Sequence, residues 1–354
     1  MSYSVNIVAV AARTPVGLTA ESSAAAVRAG ISRLGVHPFM VDGQGKPLTC
    51  ARDGLLDDGL LGRARLTALA TATLGELSQK LSALGSLRRP VPVLVALPET
   101  RPGFSDDDTR TILRELAANS LPGGGHLRFE PGGRGHAGAL SAIEVAARWL
   151  DQGTEEFCIV LGVDGYLEAE TLDWLASNLQ LAGEGARAGF FPGEAAGALV
   201  LAHESTRRRH RLPALARVRG SCSAVETRLI KGDDEGLGQG LSQAITGAVT
   251  GLKLPDEALD AVYCDINGER YRTEEWGFAV LRTQRALRDF AYVAPVDCWG
   301  DVGAASGALS CVLATQAWAR RYAKGPRALV WGSSESGLRA AAVLESSPEA
   351  ARDS

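Results

Sequence analysis

Apolar runs alternate with amphipathic segments along the whole chain. Continuous apolar or β-branched runs predict buried strands at residues 5–11, 91–97, 214–221 and 258–264. Helical spacing of apolar positions predicts helices at residues 19–34, 63–84, 238–252 and 272–289. Strands that alternate with helices of this length are typical of a mostly parallel sheet that is covered by helices.

Three stretches interrupt this alternation because their residues favour turns or solvent. Residues 35–61 are rich in Gly and Asp, and we interpret them as an insertion or lid. The Gly-rich residues 122–135 predict a loop. The basic run at residues 207–211 is interpreted as part of a solvated linker, 205–211, rather than as a binding patch.

The tetrapeptide Gly-Ala-Leu-Ser occurs twice, at residues 138–141 and 307–310. Each copy begins a similar unit in which an apolar helix is followed by a buried strand, a Gly-rich turn and a closing strand. A repeat period of roughly half the chain is too long for a solenoid and indicates a duplicated α/β domain. We therefore predict two similar halves, residues 1–205 and 206–354, with both Gly-Ala-Leu-Ser helices side by side at the centre.

The composition is that of a protein with a large hydrophobic core. The chain has 354 residues, of which 45% are hydrophobic and 22% charged, and its net charge is -4. Because no basic excess is present to neutralise a phosphate backbone, nucleic acid is not an expected partner. No stretch is long enough to span a membrane, and the N-terminal segment has no basic start, so we interpret it as a first strand rather than a signal peptide.

The cysteine and histidine positions indicate neither a disulfide framework nor a metal site. The six cysteines have no paired spacing, and most of them lie in apolar runs, as buried thiols do in a reducing compartment. The five histidines lack metal-ligand spacing, and no Gly-rich loop has phosphate-binding spacing. We therefore expect a cytoplasmic protein without a metal or a cofactor.

Three motifs, in the same order along the chain, carry a resemblance to a known family. GHAGALSAIEVAARWLDQG, from Gly135, is similar to the nucleophile helix of β-ketoacyl synthases in the thiolase superfamily. FPGEAAGALVLA, from Phe191, resembles their Gly-Glu-Gly-Ala segment, and GDVGAASGAL, from Gly300, resembles their second Gly-Ala-Ala-Gly helix entry. The resemblance implies an α/β fold: two duplicated five-stranded halves packed as an αβαβα sandwich, usually dimeric, with acyl transfer at their junction.

The catalytic positions of the family are occupied by other residues here. His136 stands where the family has its nucleophilic Cys, and Asp265 stands in place of the first catalytic His. The second catalytic His falls on Gly300 or Asp301, depending on one gap. Without a thiolate nucleophile, the two-step decarboxylating condensation has no residue that can hold the acyl group, and without the two imidazoles it has no proton source. The resemblance therefore implies a degenerate branch.

Two interpretations of His136 stay open from the sequence. At a helix N-terminus the imidazole is biased towards its neutral form, which could serve as a base if the fold brings Asp265 close enough to orient it. Alternatively, the pocket is filled and silent, and His136 is only hydrogen-bonded.

An unusually polar segment, residues 264–276, replaces the family's first His motif. We predict that residues 265–275 form one polar surface with His136 and the loop 333–336, at the mouth of the former pocket, and that this surface recognises a ligand or partner. The candidate binding residues are Asn267, Glu269, Arg270, Arg272, Glu274, Ser333, Ser334 and Glu335. This pattern of charges has two interpretations. It is either the solvated start of a helix or an ordered ion-pair cluster that binds a polar ligand or a protein surface.

Two classes of function follow from the resemblance. One is an acyltransferase or 3-oxoacyl synthase-type enzyme that acts on acyl-CoA or acyl-carrier thioesters with altered chemistry, using His136 and Asp265. The other, which we favour, is a non-catalytic binding, adaptor or partner protein. Members of the family that lack the synthase residues include partner subunits of active synthases and proteins encoded beside type VI secretion components. The resemblance also implies a homodimer.

Overall fold

The computed structural model describes residues 3–42, 45–81, 89–118, 127–183, 188–229 and 237–347. The strands in these ranges are β1 (Val5–Arg13), β2 (Leu34–Val41), β3 (Pro47–Ala51), β4 (Val91–Leu97), β5 (Leu127–Arg134), β6 (Phe157–Gly165), β7 (Glu194–His203), β8 (Ala216–Val225), β9 (Ala261–Tyr263), β10 (Tyr292–Val293), β11 (Arg327–Ser333) and β12 (Leu338–Ser346). The helices are α1 (Ala20–Arg28), α2 (Gly62–Lys80), α3 (Asp106–Ala118), α4 (Gly138–Asp151), α5 (Ala169–Ser177), α6 (Glu204–Arg209), α7 (Gln239–Val249), α8 (Arg270–Thr283), α9 (Val296–Trp299) and α10 (Ser306–Ala319).

One ten-stranded sheet runs through the molecule in the order β10-β9-β11-β12-β8-β1-β7-β6-β4-β5. β5, β4 and β6 are parallel to one another, β7 is antiparallel to β6, and β1 is antiparallel to β7. β10, β9, β11, β12 and β8 repeat this arrangement of directions. In each group all strands but one therefore share a direction, as the mostly parallel pattern predicts. The two groups meet where β1 pairs with β8.

Helices form three layers that alternate with the two halves of the sheet. α2 and α3 cover the outer face of the group formed by β1, β7, β6, β4 and β5. α7 and α8 cover the outer face of the other group. α4 and α10 lie between the two groups, where the largest apolar cluster of the described residues fills the space around them. This layering confirms the αβαβα sandwich.

The two Gly-Ala-Leu-Ser helices pack against each other in the central layer. A Cβ atom at Gly307 would lie 2.9 Å from Leu140 Cγ and 3.4 Å from Ala139 Cβ, so the backbones approach as closely as glycine allows. The strand order is symmetric about this pair of helices. The division at residues 205 and 206 stays a prediction, and it falls inside α6.

The structure differs from the sequence prediction in several places. The predicted helix at residues 19–34 is shorter, since α1 ends at Arg28 and Leu34 begins β2. β5 occupies residues predicted as a loop, because Pro131, Gly132 and Gly133 hide its strand pattern. The predicted linker contains α6, in which buried Arg207 is paired with Glu204. The predicted lid contains the β2–β3 hairpin. None of the helices in the described ranges has the length and apolarity needed to cross a membrane.

Candidate functional site

His136 lies in the turn between β5 and α4, at the junction of the two strand groups, and is buried. Gly332, near the end of β11, brings the second group against it: a Cβ atom there would lie 2.8 Å from the carbonyl oxygen of His136. The hydroxyl of Ser334 accepts a hydrogen bond from the amide of Ala137 at 3.0 Å and donates to the carbonyl of Arg134 at 2.9 Å. The end of β11 and the start of α4 therefore hold the His136 backbone between them.

The imidazole of His136 is paired with Asp301. His136 Nε2 lies 2.9 Å from Oδ1 and 3.0 Å from Oδ2 of this carboxylate, which is also buried. Asp301 further accepts hydrogen bonds from the hydroxyl of Tyr166 at 3.1 Å, the amide of Gly303 at 2.8 Å and the side chain of Asn267. A carboxylate with this many donors is held in its ionised form and in one orientation.

Arg272, in the first turn of α8, lies against the other side of the imidazole. Its side chain is 0% exposed; Nη1 donates to Asp265 Oδ2 at 2.6 Å, and Nε donates to Glu269 Oε2 at 3.0 Å. Its Nη2 lies 3.3 Å from Nδ1 and 3.4 Å from Nε2 of His136. The histidine thus lies between a guanidinium group and a carboxylate.

These neighbours raise the pKa of His136 above its ordinary value of 6.5. Burial and the positive charge of Arg272 lower it, but the charges of Asp301 and Asp265 and the hydrogen bond to Asp301 outweigh them. The pKa of Asp301 is lowered, because the charge and hydrogen bond of His136 overcome the effect of burial. These directions favour a protonated His136 paired with an ionised Asp301, whereas the neutral imidazole expected from the sequence stays a prediction.

This pair makes folding stability depend on pH. With its folded pKa raised, His136 contributes stability fully below its unfolded pKa of about 6.5, and that contribution disappears as pH rises through the folded pKa. With its folded pKa lowered, Asp301 contributes above about 3.8, and its contribution disappears only as pH falls through the folded value. We therefore expect the stability advantage of the native chain over His136→Gln to shrink between pH 6 and pH 9. Urea unfolding of both proteins at several pH values measures this difference; an advantage that stays constant or grows would contradict the protonated pair.

Asp265 does not take the role expected of it. Its Oδ2 accepts from Arg272 and, at 2.7 Å, from the amide of Ser333, whereas the carboxylate bonded to His136 belongs to Asp301. Gly300 contributes backbone geometry instead of chemistry: its φ is +73°, and a Cβ atom there would lie 2.8 Å from the carbonyl oxygen of Phe191. Of the two positions left open by the sequence, Asp301 is the one that reaches His136.

The predicted polar surface is divided between the interior and the solvent. Asn267, Glu269, Arg272, Ser333 and Ser334 are all buried. The side chains of Arg270 and Glu274 are 82% and 48% exposed and pair with each other one helical turn apart. Glu335 is joined to buried Glu269 through Gln180, whose Nε2 donates to both carboxylates. The prediction of a single solvent-facing surface is therefore wrong, because most of these groups form a buried network.

Sequence reasoning missed several residues of this network. Arg101 follows β4, and its Nη2 donates at 2.7 Å to Asp164, near the end of β6; its guanidinium carbon lies 4.3 Å above the ring centre of Tyr166. Because the carboxyl ends of parallel strands meet at one edge of a sheet, polar residues after two neighbouring strands were a usable signal. Glu275, paired with Arg339 at 2.6 Å, was part of the polar segment but was not singled out.

An open cleft of about 250 Å³ leads from the surface to His136. Its walls are contributed by the segments after β4, β5 and β11, by the end of β6 and by α5. The lining residues are Glu99, Thr100, Arg101, Gly135, His136, Asp164, Tyr166, Trp174, Leu175, Glu335 and Ser336.

Comparison with known proteins gives a structural match without a sequence match. No protein-family model and no curated protein sequence matches the chain. A chain of the complex between the ketosynthase ApeO and its chain length factor ApeC from Xenorhabdus doucetiae is 15% identical, with a TM-score of 0.76 and coverage of 98% of both chains. A chain of the AntDE:AntF complex, a type II polyketide synthase acyl-carrier protein with its ketosynthase, is 13% identical at a TM-score of 0.76, with 98% of this chain and 100% of that chain covered.

A ketosynthase from a modular enzyme gives the same result. The ketosynthase of module 6 of the bacillaene synthase from Bacillus subtilis 168 is 16% identical, with a TM-score of 0.73 over 97% of this chain and 72% of that chain. Identities this low establish architecture and not activity. The chain therefore has the thiolase-like fold in the form found in ketosynthases.

Proposed function

We propose that this chain is a ketosynthase-fold protein that has lost condensing chemistry and acts as a binding, adaptor or partner protein. The observation that carries the proposal is the buried His136–Asp301 pair at the position of the family's nucleophile. Nε2 of His136 is paired with Asp301, and Nη2 of Arg272 lies 3.3 Å from Nδ1. A protonated, paired imidazole has no lone pair with which to attack a thioester.

The cysteines do not supply a substitute nucleophile. Cys264 and Cys298 are the cysteines nearest in sequence to the site residues, and burial raises the pKa of both thiols. The pKa of every other cysteine is raised as well, again with burial as the largest cause. Since the thiolate is the reactive form, raised pKa values leave these thiols inert near neutral pH.

The alternative is an acyltransferase or 3-oxoacyl synthase-type enzyme with altered chemistry at His136 and Asp265. One observation favours it, the cleft that reaches His136. Against it, Asp265 is bonded to Arg272 and Ser333 and does not orient the imidazole. A general base needs an unprotonated nitrogen within hydrogen-bonding reach of its substrate, and an imidazole that is protonated through its pairing with Asp301 provides none.

A role in protein assemblies is supported by two observations. Two of the similar structures come from complexes, one of a ketosynthase with its chain length factor and one with its acyl-carrier protein. Among the described residues of this chain, β5 is a terminal strand of the ten-stranded sheet, so one of its edges has no neighbouring strand there. We propose a homodimer through this half of the chain, which sedimentation near twice 37.1 kDa would support. The association with type VI secretion rests on the sequence resemblance, and the identity of the neighbouring genes tests it.

Substitution of the nucleophile position tests the loss of chemistry. We expect His136→Cys to produce no condensation product, because Asp265 and Gly300 still stand where the mechanism needs imidazoles. The introduced thiol lies at the start of α4, where the helix dipole favours a thiolate, so acylation of Cys at this position is compatible with the proposal. Intact-mass analysis after incubation with acyl-CoA and acyl-carrier thioesters separates acylation from condensation. A ketoacyl product from this single variant would contradict the proposal.

A further inference from the structure

The cleft in front of His136 has charge that the buried network does not neutralise. Arg101 is paired with Asp164, and His136 is paired with Asp301, so these four groups compensate one another. Glu99 is different: its carboxylate accepts hydrogen bonds from the amides of Glu335 and Ser336, both at 3.0 Å. Amide donors are neutral, so the negative charge of Glu99 remains at the cleft wall. The cleft therefore favours a ligand that carries a positive charge.

Arg101 indicates that the ligand also carries a hydrogen-bond acceptor. Its side chain is 7% exposed, and its Nη2 is used by Asp164 and by the carbonyl of Gly165 at 2.9 Å. Its Nε is buried and has no acceptor among the residues that the structure describes. An unpaired buried donor is costly, so an acceptor on a ligand, or a water molecule, is expected beside it. Arg101 lines both the cleft and a smaller cavity of about 20 Å³, which is enough for one water molecule.

The dimensions and the remaining wall limit the size of the ligand. A volume of about 250 Å³ is below the roughly 300–1,000 Å³ that is usual for drug-sized ligands. Trp174 and Leu175 of α5 supply the apolar part of the wall. A group the size of one amino-acid residue matches these features. Its cation complements Glu99, its carbonyl oxygen complements Arg101, and its apolar side chain complements Trp174 and Leu175.

We propose that the cleft binds the amino terminus of a partner protein. The α-ammonium group pairs with Glu99, the first carbonyl oxygen accepts from Arg101, and the first side chain packs on Trp174 and Leu175. The cleft is open to solvent, which leaves room for the following residues to continue outwards. This inference rests on the proposed function as a partner protein, and it names the chemistry by which that partner is recognised.

Four small probes test the proposal on the intact protein. The indole N–H resonance of Trp174 is followed by NMR during titration with leucinamide, N-acetyl-leucinamide, isoamylamine and the peptide amide Leu-Gly-Gly-Gly-NH2. We expect leucinamide and the peptide to bind with similar affinity. The acetylated probe, which has no charge, and isoamylamine, which has no carbonyl, should each bind at least about tenfold more weakly.

Variants connect the binding to the named residues. Glu99→Gln should weaken leucinamide binding at least about tenfold, whereas Glu274→Gln, on the exposed face of α8, should leave it unchanged. Because Glu99 also holds the turn after β11, Trp174→Leu is a second variant. It lacks the indole reporter, so its leucinamide binding is measured by calorimetry beside the native chain, and we expect several-fold weaker binding through loss of the aromatic face.

Several results would overturn the proposal. Equal binding of leucinamide and its acetylated form would remove the role of Glu99. Equal binding of isoamylamine would show that Arg101 is satisfied by water in the smaller cavity, and exclusion of the peptide would identify a free amine as the ligand. Absence of binding by all probes would remove the site. The loss of condensing chemistry is measured separately with acyl thioesters, so either proposal can fail while the other stands.

Discussion

Arg272→Leu is expected to lower the free energy of unfolding by about 3–5 kcal/mol. The substitution removes the cation that lies 2.6 Å from Asp265 and 3.0 Å from Glu269, and it leaves both carboxylates buried without their cation. Uncompensated buried charge is among the largest single-residue penalties known, and native domains are stable by only about 5–15 kcal/mol. The pKa of Arg272 is raised well above its ordinary value, since the neighbouring negative groups outweigh burial. Urea unfolding followed by circular dichroism measures the loss.

Arg270→Ala is the matched control for this variant. Arg270 lies two residues earlier on the same helix, is 82% exposed, and pairs with Glu274 at the surface. Its replacement should change the free energy of unfolding by no more than about 0.5 kcal/mol. Similar effects of the two substitutions would show that Arg272 is not buried in the network described above.

Glu194→Ala is expected to destabilise the protein by a similar amount, about 3–5 kcal/mol. Glu194, in the Gly-Glu-Ala-Ala-Gly-Ala segment, accepts two hydrogen bonds from Arg65, at 2.5 and 2.7 Å, and one from the amide of Asp53 at 2.7 Å. Arg65 in turn donates to the carbonyl of Asp53 at 3.0 Å. Removal of the carboxylate leaves Arg65 buried without its counter-ion and releases the segment after β3.

Two measurements distinguish this effect from a general loss of stability. Limited proteolysis should cleave the Glu194→Ala protein within residues 52–61 under native conditions, where the native chain resists. Glu130→Ala removes a carboxylate from a surface pair with Arg128, so it should cost about 0–1 kcal/mol and leave the cleavage pattern unchanged. If Glu194→Ala leaves both stability and cleavage unaltered, the buried pair does not hold this segment.

The fold could be predicted from the sequence because its strongest signals are local and repeated. The two Gly-Ala-Leu-Ser helices are rich in apolar residues, and each is followed by a buried strand, so pattern and repeat agree. β5 was missed because Pro131 and two glycines remove the alternation that identifies a strand, and its pairing with β4 is a tertiary contact. β1 and β8 meet edge to edge, which no local pattern encodes.

The site was only partly predictable, because charge and burial depend on contacts between distant residues. His136 was identified from its place in the motif, but the direction of its pKa shift depends on Asp301, which lies 165 positions further along the chain. Arg272 reads as a surface residue beside Arg270 in the sequence, and only the rotation of α8 separates the buried residue from the exposed one. The alternating charges at the start of α8 therefore identified the segment correctly, but they did not indicate which of its side chains are buried.

The central claim, loss of condensing chemistry at His136, is tested most directly with the wild-type protein and malonyl-carrier thioester. Decarboxylation of the malonyl group and the formation of any ketoacyl product are followed by mass spectrometry over many hours, with an active ketosynthase as the positive control. We expect no acyl adduct on the protein and no decarboxylation above the rate without protein. A ketoacyl product, or decarboxylation that disappears in His136→Gln, would contradict the account.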